Sequence, residues 1–371
     1  MYRRIAAVSI ILFALQHIIR IIYSLGYHLQ FYQHYPGACY EVNGIDFGAG
    51  DFDITQDGMT FITSGWNMNI FSDSFQDYYH KNDITGAIYL LRVSGNGSTP
   101  MKLDIISRDA LFKLDSFRPR GISVYPNMST GKHILFVVNH PPKEVNRVEK
   151  FEFDPLNSVL HHIKSYTSDK LRLVYDIQAL GEDSFYATNI LYENKVRFFM
   201  ILELFSLMPW SSVVHYKEET GFHDVLTGLT STSGIFLSGC GTYVYVLLCM
   251  SSEVRVYTRH KDHTLVLQQV YPLLSHPDNG LVDPVTGDLY IGTHPIAYQF
   301  INHLDRPNKF KAASQVLQLR TKDGLIVAVT ELFYDDGDLI SGSSTAVVYN
   351  KSLIVGSTVD KLILCQLNIP V

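Results

Sequence analysis

The residues of this 371-residue chain best suited to chemistry stand at the ends of apolar runs: Asp51, Asn139 with His140, Asp176, Asp278 with Asn279, and His294. Carboxylates and amides gathered without sulfur favour a hard cation, calcium foremost. If the runs are strands that end on one face of a common axis, these side chains can converge. Taken singly, an aspartate at a strand end is more often a turn former. The sequence holds no GxSxG, HExxH, Walker loop or GxGxxG leading into a helix. Gly48-Ala49-Gly50-Asp51 and Gly95-Asn96-Gly97 are turn material. The four cysteines (Cys39, Cys240, Cys249 and Cys365) form no CxxC and no Cys/His cluster, which argues against zinc.

The elements that must position these residues read as a repeated β architecture. Six segments enter from a turn and run through alternating or β-branched apolar residues: GMTFITS from Gly58, KHILFVVNH from Lys132, DSFYATN from Asp183, GTYVYVLL from Gly241, GDLYIGTH from Gly287 and NKSLIVGS from Asn350. Their starts lie roughly 45–75 residues apart, the period of a propeller blade with variable loops. Six such units predict six four-stranded blades, an all-β propeller, in preference to a long sandwich or jelly roll. Cys39 and Cys365 stand just inside the two ends of this body, where a bridge would close the ring. Cys240 and Cys249 read as buried thiols. Little helical periodicity is present after residue 40.

Composition bounds the function classes. Hydrophobic residues make up 46% of the chain and charged ones only 18%, which excludes disorder, and the net charge of −6 without a basic run argues against nucleic acid as a partner. Part of the hydropathy is concentrated at the N-terminus, where Arg3 and Arg4 precede an apolar stretch from Ile5 to Leu25. That stretch is long enough to cross about 30 Å of hydrocarbon. Arg20 would cost roughly 2.5–3.5 kcal/mol at mid-bilayer, but near the distal end it can snorkel. The segment reads as a signal anchor over 5–25, with residues 1–4 cytosolic and the body translocated. Cleavage after Gly26 and a buried structural helix are the alternatives. Sequons at Asn96, Asn127 and Asn350 all lie downstream, as translocation requires.

The segments GIDFGAGDFDITQDGMTFITSG (44–65), SFRPRGIS (116–123), FVVNHP (136–141), DNGLVDPVTGDLYIGTHP (278–295) and VVYNKSLIVGST resemble the serum paraoxonases, in the same order, over residues 39–367. The resemblance implies a six-bladed propeller closed by a Cys39–Cys365 disulfide, an uncleaved N-terminal segment, and two calcium ions in the channel. The family's structural calcium site falls on Asp51, Asp176 and the backbone carbonyl of Ile122, and is intact. The catalytic calcium site retains only Asp278 and Asn279; its glutamate position is Gly50 and its two asparagines fall on Tyr175 and Thr227. The family's water-activating histidine pair maps to Arg120 and His140. His294 matches a channel histidine, and the neighbouring thiol position is Thr293. One remaining carboxylate is too little for a tightly held second ion, and Arg120 puts a fixed cation where a base should stand, free to pair with Asp278. These losses argue against lactone and ester hydrolysis. Together with the anchor, they resemble the nematode paraoxonase-like membrane proteins that assist degenerin-type sodium channels. That resemblance implies an accessory or chaperone role in the endoplasmic reticulum or at the plasma membrane. A divergent calcium-dependent lactonase or arylesterase is the alternative, and a lipid-associated scaffold a third.

Overall fold

The computed structural model describes residues 2–67, 74–93, 99–127, 130 and 132–368. Six sheets follow one another around a ring, antiparallel throughout except that the sheet of blade II carries a fifth, parallel edge strand, Asp104–Ile106. Blade I holds strands Asp51–Ile54, Met59–Ser64, Ala87–Arg92 and Met101–Lys102. Blade II holds Pro119–Pro126, His133–Asn139, Arg147–Asp154 and Val159–Tyr166, and blade III Leu173–Gly181, Ser184–Leu191, Ser211–Lys217 and Gly221–Leu229. Blade IV comprises Thr232–Leu237, Tyr243–Leu248, Glu253–Arg259 and Leu265–Pro272. Blade V comprises His276–Val282, Leu289–His294, Ser314–Lys322 and Leu325–Asp335. Blade VI takes three strands from the C-terminus, Ser343–Tyr349, Ser352–Ser357 and Leu362–Gln366, and its fourth, Cys39–Glu41, from the N-terminus. Cys39 lies directly opposite Cys365 in that pairing, and the two form a disulfide.

The six segments singled out in the sequence are the second strands of the six blades. Those strands are buried almost end to end. A blade is covered by a neighbour on both faces, so its inner strands read as continuous apolar runs and only outer strands can be solvated. The outer strand of blade IV, Leu265–Pro272, exposes most of its residues. An apolar cluster fills each of the six junctions between adjacent blades, for example Phe61, Leu135 and Phe151 between I and II.

Four helices complete the described chain: α1 (Tyr2–Ser24), α2 (Ser74–Lys81), α3 (Arg197–Ser206) and α4 (Ala297–Asp305). The last three correct the expectation of an almost helix-free body. Each is inserted between the second and third strands of an alternate blade, I, III and V, so all three sit on the face where the second strands end. α3 reads as an apolar run without a side-chain cap, and leaves Phe198, Phe199 and Leu202 exposed. α1 is long and apolar enough to span a membrane and has no buried residue. Its end is docked on the same face: His276 Nε2 donates to Ser24 O at 2.8 Å, Tyr298 N–H to Leu25 O at 3.1 Å, and Tyr27 stacks on Tyr298 at 4.1 Å.

Two cysteines remain free. Cys240 corrects the expectation of a buried thiol, because the Ser238–Gly241 turn leaves it exposed. Hydrogen bonds from Ser238 and Thr242 bring its thiol down to about 7. Cys249 is half-buried, and burial pushes its thiol upward. Among the sequons, Asn350 is exposed, Asn127 is half-buried with its amide on Glu182, and Asn96 lies outside the described residues.

Candidate functional site: an axial channel with a built-in guanidinium

The channel's polar residues come from the beginnings of inner strands. Asp51 opens blade I and accepts Ile122 N–H of blade II on Oδ2 at 2.9 Å; Asp176 in blade III accepts Ile235 N–H of blade IV on Oδ2 at 2.8 Å. Two residues further along each strand the pattern recurs. Asp53 accepts Val124 N–H at 2.7 Å, and Gln178 Oε1 accepts Leu237 N–H at 2.8 Å. These side chains therefore stitch successive blades together, a role that aspartate and glutamine share. Gly121 lets blade II approach closely enough for this, since a Cβ there would stand 2.7 Å from the Asp176 Cα.

Hydrogen bonding does not satisfy the electrostatics of the aspartate pair. Asp51 and Asp176 are each only 2% exposed. Burial, then the neighbouring Asp176, holds Asp51 well above the usual carboxylate range, with Arg120 opposing. Burial likewise raises Asp176 to about 7, against the Ile235 and Ile177 N–H groups and the Asn279 amide. A hard divalent cation between two such carboxylates would remove the penalty, and the oxygen-only donor set suits calcium. Among the described residues no group of three or more His, Cys, Asp or Glu side chains is placed to hold a metal. Asp51 and Asp176 would thus hold the ion with neutral oxygens, to which the Ile122 carbonyl assigned by the family resemblance belongs. Replacing either aspartate by alanine is expected to lower the melting temperature and erase its sensitivity to chelator. Thermal unfolding with and without EGTA checks this, and chelator-insensitive wild-type protein would refute an ion at the pair.

The second cation position is different. Arg120, 1% exposed, extends its guanidinium into the channel. Nη1 donates to Gly50 O at 2.6 Å; Nη2 donates to Asp278 Oδ1 at 3.0 Å and to the Tyr175 hydroxyl. Tyr175 itself donates to Asp278 Oδ1, and His294 Nε2 lies 3.1 Å from Asp278 Oδ2. Burial opposes ionisation of Asp278, but Arg120, His294 and Tyr175 outweigh it and hold the carboxyl below its usual range. For Arg120, burial is in turn outweighed by Tyr175, Asp278 and Asp51, so the guanidinium stays charged. It also lies 4.3 Å from the Tyr175 ring centroid and 5.6 Å from that of Trp66. Gly50, Tyr175 and Asp278, three of the positions that the resemblance assigns to a catalytic ion, thus surround a side-chain cation. The residues present do not fit a second metal ion.

Other assigned residues fall elsewhere. Thr227 is exposed on the outer strand of blade III, far from the inner strands that line the channel. Ser233, on the inner strand of blade IV, is the buried hydroxyl beside the Asp278–Asn279 pair of the His276–Val282 strand, with Oγ donating to Pro277 O at 3.0 Å. Asn279 serves Asp176 rather than a second ion. Asn139 is structural: its carbonyl accepts Arg118 N–H and its amide donates to buried Glu149. His140 has both nitrogens engaged, Nδ1 accepting Trp66 Nε1–H at 3.0 Å and Nε2 donating to Val174 O at 2.6 Å. Burial brings it down to about 4, so the imidazole is neutral and has no free nitrogen with which to take a proton from water. His294 stacks on Phe300 of α4 at 3.4 Å. Above this network lies an apolar cavity of about 100 Å³, bordered by Leu25, Trp66, Leu204, Phe205 and Phe300.

A ring of six blades closed by its own N-terminal strand, with polar residues gathered at its inner strands, defines a six-bladed β-propeller with a polar axial channel. The arylesterase family model matches residues 32–367, and the chain belongs to that family, which includes the serum paraoxonases. Chicken (Gallus gallus) serum paraoxonase/arylesterase 2 is 34% identical over 331 residues, covering 89% of this chain and 88% of that protein. Human serum paraoxonase/arylesterase 1 is 30% identical over 329 residues with the same coverage. Among solved structures, a putative gluconolactonase superposes with a TM-score of 0.52 at 12% identity, covering 90% of this chain and 92% of the other, which supports the fold alone.

Proposed function

We propose that this chain is a membrane-anchored, non-hydrolytic member of the family that acts by binding membrane-protein clients, degenerin-type channel subunits foremost, during folding, assembly and surface delivery. The observation that carries the reading is the closed Arg120–Tyr175–Asp278 network. Hydrolysis through a Lewis-acidic ion requires open coordination positions for the substrate oxygen and water, and a base to take a proton. Here a guanidinium, which is neither Lewis acid nor base, stands at that position, and His140 is fully hydrogen-bonded. One calcium ion at Asp51 and Asp176 is the structural cofactor in this reading. α1 anchors the propeller with its N-terminus cytosolic, and the body occupies the lumen of the endoplasmic reticulum or the outside of the plasma membrane. Co-expression with a degenerin channel should raise current and surface abundance of the channel, and no change in either would count against the assignment.

The family membership and the apolar cavity over Asp278 and His294 favour one alternative, a divergent lactonase or arylesterase. The purified chain in millimolar calcium should then turn over aromatic lactones or aryl esters, with activity lost in Asp278→Asn. The accessory reading predicts no turnover above that control.

A further inference from the structure

Away from the channel, a cluster of imidazoles bridges the outer parts of blades III and IV. His215 and His223 lie directly opposite each other on neighbouring strands of blade III, with ring centroids 5.5 Å apart. His263, from the hairpin between the last two strands of blade IV, stacks on His215 at 4.3 Å and 21°. His215 is 2% exposed; its Nε2 lies 3.1 Å from Ser184 Oγ, while its Nδ1 is buried without a partner, as is His263 Nδ1. The Tyr186 hydroxyl donates to His263 O at 2.8 Å, tying the hairpin to blade III. The charged groups facing the cluster are Lys217 from blade III, and Arg259 and Asp262 from blade IV, two cations against one anion.

We propose that this seam is an acid-sensitive latch, in which the stacked neutral imidazoles of His215 and His263, with His223 beside them, hold the outer edges of blades III and IV together and part when protonated. Two cations cannot stack at 4.3 Å beside Lys217 and Arg259 without strong repulsion, and a buried Nδ1–H would lack an acceptor. Burial, then the neighbouring histidines, Lys217 and Arg259, brings His215 down to about 3; burial, then Arg259 and Lys217, lowers His263. The sign follows from linkage. Above the ordinary histidine value both closed and open seams are neutral and pH has no effect. Below it the open state takes up protons that the closed state refuses, so closure weakens as pH falls. A bound transition metal is the other use of three imidazoles, but these rings stack rather than converge, and Lys217 and Arg259 would repel a dication.

Hydrogen–deuterium exchange of the full-length chain in detergent tests the latch, with rates corrected for the intrinsic pH dependence. Between pH 7.5 and 5.5 the protection of amides in strands Ser211–Lys217 and Glu253–Arg259 should fall by about tenfold through His215 and by a further factor through His263. His263→Phe, which keeps a ring in the stack, should lose only one of those two factors. Equal loss of protection in wild type and His263→Phe would overturn the proposal. So would loss spread evenly over all six blades, or protection raised further at pH 7.5 by zinc in wild type but not in His263→Phe, which would mark a metal site instead.

Discussion

Arg120→Ala is expected to destabilise the folded chain by about 3–5 kcal/mol, the range for stranding one partner of a buried ion pair. Removing the guanidinium leaves Asp278, 2% exposed, with a tyrosine and a histidine but no fixed counter-charge, and leaves Gly50 O with the Ser344 hydroxyl as its remaining donor. The pair itself need not be a net source of stability, because two charges were desolvated to form it. The diagnostic is therefore non-additivity. Arg120→Ala/Asp278→Ala should cost clearly less than the sum of the two single changes, by 0.5 to about 3 kcal/mol. Urea denaturation of the four proteins at neutral pH measures this. Strict additivity, or a loss below about 1 kcal/mol for Arg120→Ala, would show that the guanidinium is not paired as described.

A comparably large effect is expected at ring closure. The N-terminal strand contributes only three residues to blade VI, and the Cys39–Cys365 bridge links positions 326 residues apart. In the chain-entropy account a closed loop of this size is worth about 6 kcal/mol. Cys39→Ser/Cys365→Ser should unfold at correspondingly lower urea, and wild-type protein in strong reductant should converge on the same midpoint. A midpoint shared by oxidised wild type and the double variant would mean that strand pairing alone closes the ring.

How much of this was legible in the sequence depended on how locally each feature is encoded. The second strands were readable because burial on both faces turns them into uninterrupted apolar runs, as in HILFVVN of blade II. α3 was missed because RFFMILELFS is also an apolar run and lacks a side-chain cap, so nothing local separates it from a strand. In the channel, Asp51, Asp176 and Asp278 were recognisable by type and place. The partners of Arg120 are non-local, with Asp278 158 residues away, and a carbonyl acceptor such as Gly50 O leaves no mark in sequence. Tyr175 read only as a lost amide, although its hydroxyl joins Arg120 to Asp278. Thr227 stands exposed on the outer strand of blade III, and only the pairing of outer and inner strands shows that Ser233, six residues on, is the buried hydroxyl beside Pro277. Asp53 and Gln178 repeat the Asp51 and Asp176 stitches, a signal present in the spacing i, i+2 and visible once the inter-blade bonds are seen.

We propose that the Arg120 guanidinium occupies the position of one of two channel cations. Counting calcium per chain by equilibrium dialysis of the purified full-length protein tests it most directly. One ion per chain is expected, lost in Asp51→Ala and retained in Asp278→Asn. Two ions per chain, or loss of an ion in Asp278→Asn, would contradict it.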